Sequence, residues 1–298
     1  MSSPVFLLAS PRSFTSVICA MLGQHPEMYG MPELNLFIAD NVQNFLQLIG
    51  HQQYLGHGII RAVAQVFTGK QTPKSIAWST QWLLQDGNKA TQEIFEALRI
   101  ALKPLSIIDK SPAHIIDPLF LERLFQAAPD AYFIHIVRNP QMQCASIVKA
   151  EQGQFLKLQN DYFAAVKNLR CDPQELWLLN QITIIDFLKK VPPDKKRTLR
   201  GEDILQNPRT HLHDLCAWMG KRTDEIAMEA MLHPENSPFA GFGPFGAPFG
   251  NDTGFLNNPI LQPLPKHQVS LRYNPFQMPK GRFLSEETIR MAISLGYE

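Results

Sequence analysis

The stretch that decides the fold is Val5-Phe6-Leu7-Leu8-Ala9-Ser10-Pro11-Arg12-Ser13-Phe14-Thr15-Ser16. Its apolar start, residues 5–9, predicts a parallel strand buried on both faces. The apolar run at 17–22 predicts a helix, so the turn between them presents unpaired backbone N–H groups at a positive helix end. Such a turn is typical of phosphate and sulfate sites. A strand, turn and helix with surface serines and no ligand is the alternative.

The turn also carries side-chain donors. Arg12 supplies a planar, permanently charged guanidinium that matches oxyanion geometry. Ser13, Thr15 and Ser16 add hydroxyl groups. The pattern Gly-x-x-x-x-Gly-Lys-Ser/Thr of the nucleotide triphosphate loop is absent, so the stretch does not predict a Walker-type site.

A second strand-to-helix turn has the same design. Residues 131–137 predict a strand that is followed by Arg138 and turns at Asn139-Pro140. Ser146 follows on the predicted helix. Ligands bind at the carboxyl ends of strands in open parallel sheets, so Arg138 and Ser146 can converge on one phosphate. A structural salt bridge of Arg138 is the alternative.

Together these segments resemble the sulfotransferases that use 3′-phosphoadenosine 5′-phosphosulfate (PAPS). That family carries a 5′-phosphosulfate loop of the type Pro-Arg/Lys-Ser-Gly-Thr-Thr and a 3′-phosphate motif of the type Arg-x-Pro followed by Ser. The resemblance implies that PAPS is the co-substrate and that its desulfated form, PAP, is a product. It assigns the 3′-phosphate to Arg138 and Ser146, and the 5′ end to Arg12, Ser13, Phe14, Thr15 and Ser16.

Further matches extend the resemblance over most of the chain. They are His25-Pro26, Met31-Pro32-Glu33-Leu34, Asp109-Lys110-Ser111-Pro112, Arg200-Gly201-Glu202-Asp203-Ile204 and Asn207-Pro208. Two closing segments look most like the bacterial branch that includes sulfotransferase domains embedded in polyketide synthases. These are Gly250-Asn251-Asp252-Thr253-Gly254-Phe255-Leu256 and Leu295-Gly296-Tyr297-Glu298.

Two positions depart from the family pattern. Phe14 stands where the family has Gly, and a side chain there limits positive φ angles and close approach of the backbone to an anion. The loop is therefore expected either to differ locally or to turn the phenyl ring towards the substrate. Gly201 stands where the family has Tyr, so no nucleotide contact of that Tyr carries over.

The implied reaction needs cations near the transferred group and one base. Arg12 resembles the family's catalytic Lys or Arg on the leaving-group side. Lys110 lies in a segment that resembles a Lys-Asp-Pro or Lys-Ser-Pro motif near the transferred group, and a surface Lys after a strand is the alternative. No metal is implied, and the sequence offers no convincing metal-ligand cluster.

Glu33 is the first candidate for the base, because it matches the position where several sulfotransferases carry a catalytic Glu. A role limited to the helix dipole is the alternative. Many cytosolic members use His instead, so His267, after the aromatic loop, joins the catalytic candidates and His114 is the next to test. His25 is expected to pack beside Pro26.

The coarse layout predicts an α/β class: a P-loop-like, three-layer fold with a central parallel sheet flanked by helices. A single domain over 1–298 is expected, with a helical insertion at 35–103 on the acceptor side and a helix at 173–190. Residues 234–265 are rich in Pro, Gly and Phe and are either a loop packed on the core or an aromatic lid. The predicted strands are 4–9, 105–109, 131–137 and 195–200.

Composition limits the partners. The formal net charge is +1 and no extended run of Lys or Arg occurs, so nucleic acid is not an expected partner. No apolar stretch approaches the length of a membrane span, and no signal-peptide pattern precedes the first strand. The four cysteines lack metal-type pairing and favour free thiols in a reducing compartment. A cytoplasmic location is therefore expected.

The sequence thus predicts sulfuryl transfer from PAPS to an acceptor hydroxyl. Five phenylalanines in the 234–265 segment favour a lipophilic acceptor, either a small-molecule alcohol or phenol or a hydroxyacyl group on a carrier protein. Two other classes remain open: a PAP-binding scaffold without turnover, and a phosphoryl-transfer enzyme, for which Mg²⁺ ligands and a Walker-type Lys are missing. The sequence carries no signal for oligomeric state.

Overall fold

A computed structural model describes residues 2–85, 87–149, 172–262, 264, 270–272 and 283–298. Five parallel strands form one sheet in the order β2-β3-β1-β4-β5. They are β1 (Val5–Leu8), β2 (Met28–Gly30), β3 (Ser106–Asp109), β4 (Tyr132–Val137) and β5 (Lys196–Arg200).

The sheet confirms the predicted α/β class with a central parallel sheet. All four predicted strands are present, at the centre and at one edge of the sheet. Strand β2 is an addition, because its three residues are too short to give a periodic signal in the sequence. Parallel strands place their carboxyl ends at one edge, so the segments after Leu8, Gly30, Asp109 and Val137 meet there.

Helices cover both faces of the sheet. The predicted helix at 173–190 is observed at 173–188, and the region 35–103 contains four helices. The helices are α1 (Thr15–Leu22), α2 (Val42–His51), α3 (Tyr54–Thr68), α4 (Pro73–Gln85), α5 (Thr91–Ala101), α6 (Pro118–Ala127), α7 (Pro140–Lys149), α8 (Pro173–Leu188), α9 (Gly201–Gln206), α10 (Pro208–Trp218), α11 (Glu225–Met231), α12 (Thr253–Asn257) and α13 (Glu286–Ser294).

Alternation along β1 explains the three layers. Successive side chains of a strand point to opposite faces. Phe6 and Leu8 enter a core shared with α2–α6, α8 and Phe133, whereas Val5 and Leu7 enter a second core shared with α1 and α9–α11. The sheet is therefore buried on both sides, as the continuous apolar run at 5–9 predicted.

The Phe-rich segment after α11 is anchored over its first half. The Arg61 side chain of α3 donates to the carbonyl oxygens of Gly241 and Phe249 at 3.1 and 3.0 Å, and its guanidinium lies 5.7 Å from the Phe239 ring centre. Phe239 is buried, whereas Phe245 is 90% exposed. Residues 239–249 thus pack on α3, and Asn251 Nδ2 donates to the Phe239 carbonyl oxygen at 3.1 Å.

No described helix is long and apolar enough to cross a membrane. Three cysteines, Cys19, Cys144 and Cys216, are free and buried. Cys171 lies outside the described residues.

Candidate active site

A pocket of about 530 Å³ opens at the carboxyl edge of the sheet. Its lining comes from segments far apart in the chain: the turn after β1, the segment after β2, the start of α3, helix α7 and the segment at 251–264. The lining includes most of the residues that the sequence singled out, namely Arg12, Ser13, Phe14, Thr15, Ser16, Glu33, Arg138 and Ser146.

The turn after β1 adopts a geometry suited to anions. Arg12 and Phe14 have φ angles of 68° and 65°, in the left-handed region. Phe14 is the N-cap of α1, and its side chain makes no capping hydrogen bond. The first amides of α1 are thus uncapped by that side chain and lie at the positive end of the helix. Alternation of left-handed residues with Ser13 forms a backbone concavity of the kind that binds anions.

Phe14 keeps this backbone despite its side chain because of two neighbours. The guanidinium of Arg138 lies 4.2 Å from the centre of the Phe14 ring. A Cβ at position 201 would lie 2.8 Å from Cδ2 of the same ring, so Gly201 leaves the space that the ring needs. The two departures from the family pattern are therefore spatially coupled, and Phe14 packs against Arg138 and Gly201 at the pocket wall.

Arg138 ties the second turn to the first. Its Nη1 donates to the carbonyl oxygen of Arg12 at 2.6 Å, and its own carbonyl accepts from Trp177 Nε1 at 3.1 Å. Burial lowers the pKa of Arg138 to about 10, so it stays charged at neutral pH. Its Nε and the Ser13 hydroxyl are buried without a hydrogen-bond partner among the described residues. Two donors thus remain for an anion in this part of the pocket.

Arg12 has two side-chain partners in the pocket. Its Nε donates to Ser146 Oγ at 3.0 Å, and its guanidinium pairs with the carboxylate of Asp252. The Asp252 amide donates to Ser16 Oγ at 3.1 Å, and its carboxylate caps α12. Asp252 is a site residue that sequence reasoning missed as a partner of Arg12. The Asp-Thr-Gly run after Asn251 signals a helix cap, but only the fold brings it to Arg12.

Glu33 and Lys110 form the second charged pair. Lys110 Nζ donates to Glu33 Oε1 at 2.7 Å and to Ser16 Oγ at 3.1 Å. The Lys110 side chain is fully buried, whereas that of Glu33 is about a quarter exposed and lines the pocket. Lys110 therefore lies behind the pocket wall, and its charge acts through Glu33 and Ser16.

The candidate histidines do not join these charged groups in the pocket. His114 is buried, its Nε2 accepts from the Phe37 amide at 3.4 Å, and burial lowers its pKa to about 3. His25 accepts from the Glu27 amide through Nδ1 and donates to the Arg222 carbonyl through Nε2. Both are held by backbone groups outside the pocket lining. His267 lies outside the described residues.

Within the part of the chain that the structure describes, no group of three or more His, Cys, Asp or Glu side chains could hold a metal ion. The charged groups that meet at the pocket are instead two arginines, one lysine and two carboxylates. Two cationic turns that follow adjacent parallel strands, with two carboxylates in the same pocket, define a transferase-type site for an anionic donor.

The chain belongs to the sulfotransferase family, whose pattern matches residues 4–225. The family resemblance read from the two turns is thereby confirmed, and the protein is a sulfotransferase by class. A comparison with curated proteins gave no match.

Two solved structures have similar folds along the whole chain. The sulfotransferase domain from the curacin biosynthetic pathway is 23% identical, with a TM-score of 0.79 over 100% of this chain and 99% of that one. The sulfotransferase domain from the Synechococcus PCC 7002 olefin synthase is 25% identical, with a TM-score of 0.76 over 100% and 97%. These similarities agree with the branch predicted from the sequence.

Proposed function

We propose that this protein transfers a sulfuryl group from PAPS to the hydroxyl of a lipophilic acceptor, with Glu33 as the base. One observation carries the proposal: a single pocket brings Arg12, Arg138 and Glu33 together from three strand ends. The two arginines give the pocket two cationic sites, as a donor with phosphates at both ends requires.

The residues present fit such a donor. Arg138 Nε and Ser13 Oγ are buried donors without a partner among the described residues, and an anion would satisfy them. We assign the 5′ end to the turn at 12–16 and the 3′-phosphate to Arg138 and Ser146. When bound, PAPS supplies the sulfuryl group that passes from its phosphate oxygen to the acceptor oxygen.

The chain's own contribution is positioning and one proton transfer. Glu33 Oε1 accepts from Lys110 Nζ, so the carboxylate is held at the pocket wall by a charge-assisted hydrogen bond. We assign Glu33 Oε2 to take the proton from the acceptor hydroxyl as its oxygen attacks. Arg12, which already contacts a carboxylate, would stabilise the negative charge on the leaving phosphate.

Apolar groups around Glu33 support a lipophilic acceptor. The pocket wall beside the charged groups is formed by Leu55, Pro112, Ala113, Phe255 and Ile260, among others. We propose an alcohol or a hydroxyacyl chain as the acceptor class. Similarity to domains from the curacin pathway and an olefin synthase supports a carrier-bound form of that chain.

We also propose that the chain forms one domain over 1–298, that the acceptor binds on the side formed by 35–103, and that 234–265 acts as a lid. Tyr54 and Leu55 of α3 and residues 251–255 line the pocket, which supports both assignments. The buried thiols of Cys19, Cys144 and Cys216 support a reducing, cytoplasmic setting.

The test is to incubate the protein with PAPS and a panel of primary and secondary alcohols of increasing chain length. PAP release and the sulfated product are measured by mass spectrometry. Turnover that rises with chain length and is lost in Arg12→Ala is the expected result. PAP binding without transfer to any alcohol or carrier-bound hydroxyacyl chain would favour the scaffold class instead.

A further inference from the structure

The segment that carries Glu33 makes an unusual turn directly after β2. Asn35 has a φ of 53°, in the left-handed region that costs free energy for a residue with a side chain. Such a conformation persists only where its surroundings fix it. The Asn35 side chain helps, because its Nδ2 donates to the Leu55 carbonyl at 3.1 Å.

Side chains from the loop after β3 take up the backbone amides of this turn. The Asn35 amide donates to Ser111 Oγ at 2.9 Å, and the Leu34 amide lies beside the Asp109 carboxylate. The Ser111 hydroxyl in turn donates to Asp109 Oδ1 at 2.6 Å. Asp109 and Ser111 therefore form one hydrogen-bonded unit that contacts the backbone of the two residues after Glu33.

The Asp109–Ser111 unit is buried, so its polar atoms depend on hydrogen bonds within the protein. Asp109 and Ser111 are 1% and 3% exposed. Burial raises the pKa of Asp109 to about 6, although its hydrogen bonds favour the charged carboxylate and act in the opposite direction. A buried carboxylate costs free energy unless its hydrogen bonds are made, so the amides of the turn are held in one arrangement.

The Glu33 backbone is fixed from the opposite side as well. Its amide donates to the Gly250 carbonyl at 2.8 Å. A Cβ at position 58 would lie only 2.0 Å from the Glu33 carbonyl oxygen, so α3 approaches this backbone more closely than any residue but glycine allows. Position 33 is thereby enclosed by α3, by residue 250 and by the loop after β3.

We propose that Asp109 and Ser111 are positioning residues that fix the Glu33 carboxylate at the pocket wall. The inference rests on the proposed function, in which Glu33 receives the acceptor's proton. Lys110, between the two, pairs with the carboxylate itself. Three successive residues thus supply both the cation for the base and the support for its backbone, and neither Asp109 nor Ser111 lines the pocket.

The decisive variant is Ser111→Ala, with Ser106→Ala as its matched control. Ser106 lies at the other end of β3, is fully buried, and its hydroxyl has no partner among the described residues. Amide hydrogen exchange of Leu34 and Asn35 is measured by NMR. Ser111→Ala should speed exchange at both amides about tenfold or more, and Ser106→Ala should leave it unchanged. Unchanged exchange in Ser111→Ala would overturn the proposal.

Kinetics separate positioning from general damage. In Ser111→Ala, kcat with the best alcohol of the panel should fall about 10- to 100-fold because the base is misplaced, while the Kd for PAP stays within about twofold. Ser111→Thr, which keeps the hydroxyl, should recover most of kcat. Equal losses of kcat and PAP binding, or wild-type kcat in Ser111→Ala, would contradict a positioning role.

Asp109→Asn covers the case in which Ser111→Ala does not fold. It keeps the side-chain shape and removes a buried charge, so thermal stability should hold or rise while kcat falls. Wild-type kcat in this variant would overturn the role of Asp109. Glu33→Gln distinguishes a failure of the proposed function from a failure of the positioning inference. If Glu33→Gln stays active, the proposed base is wrong. If Glu33→Gln is inactive while the Ser111 and Asp109 variants keep wild-type kcat, only the positioning inference fails.

Discussion

The two charged pairs of the pocket differ in how they are held. Lys110 and Glu33 meet at 2.7 Å, with the lysine side chain fully buried and the carboxylate joined to a backbone fixed from three directions. Arg12 and Asp252 are both about a quarter to a third exposed, and Asp252 belongs to the segment beyond the Arg61 anchor. The lysine of the first pair lies behind the pocket wall, whereas both members of the second pair are partly exposed to solvent.

This difference separates two tasks of the site. A buried lysine cannot leave its carboxylate without a large desolvation cost, so the Glu33 side is ordered before any ligand arrives. A partly exposed pair contributes only about 0.2–1 kcal/mol, so an incoming phosphate can replace the Asp252 carboxylate on Arg12. The chemistry is therefore expected at the fixed pair, and ligand exchange at the exposed one.

The largest effect should follow a change at the fixed pair. Glu33→Gln keeps the side-chain size and removes the proton acceptor, so kcat should fall about 10²- to 10⁴-fold. PAP affinity, measured by calorimetry, should change little, because we assign the nucleotide contacts to Arg12 and Arg138. Glu122→Gln in α6, outside the pocket lining, is the control. Near-normal turnover in Glu33→Gln would remove the distinction between the two pairs.

A smaller effect, on stability, should follow a change at Gly201, which lies against the turn at 12–16. Gly201→Ala places a methyl group against the Phe14 ring and should lower the free energy of unfolding by about 1–3 kcal/mol. In a Phe14→Gly background the same substitution should cost less, because the closest contact is gone and only Ile136 Cγ2 and the Ser13 carbonyl oxygen remain, each 3.3 Å from the added Cβ. Urea unfolding of the four chains gives this coupling.

Gly50→Ala is the control for that cycle, since a Cβ at position 50 meets no atom within 4 Å. Additive effects of Gly201→Ala and Phe14→Gly would mean that the ring and position 201 do not compete for space.

The smallest effect should appear at the exposed pair. Asp252→Asn removes the internal anion but keeps an N-cap of similar quality for α12, so PAP should bind about two- to fivefold more tightly. The gain should shrink at high salt. Asp252→Ala removes both the anion beside Arg12 and the N-cap of α12, so its comparison with Asp252→Asn shows the effect of the cap alone. Weaker PAP binding in Asp252→Asn would indicate that Asp252 helps the ligand rather than competes with it.

The sequence predicted those parts of the site that follow directly from strand ends. Arg12 comes shortly after β1 and Arg138 directly after β4, and the parallel sheet brings such positions together. Glu33 and Lys110 were singled out from motifs, but their pairing depends on a sheet in which β2 lies beside β3. Strand β2 itself has only three residues, too few to show the alternation of apolar and polar residues that predicts a strand.

Other features depend on contacts that no local pattern encodes. Asp252 reaches Arg12 across 240 positions of sequence, and Gly201 meets Phe14 across 187. The left-handed backbone at Phe14 also contradicts local propensity, and its ring packs against Arg138, the space at Gly201 and the apolar core on that face of the sheet. Tertiary packing decides each of these cases, so the sequence alone left the role of Gly201 unassigned.

The most direct test of the account is a calorimetric titration with PAP and with AMP, which lacks the 3′-phosphate. PAP should bind, AMP should bind about 10- to 100-fold more weakly, and Arg138→Ala should remove that difference. Arg200→Ala is the matched control, because Arg200 also ends a strand but pairs with Asp203 outside the pocket lining. Equal binding of PAP and AMP, or no effect of Arg138→Ala, would contradict the assignment of this pocket to a 3′-phosphorylated nucleotide.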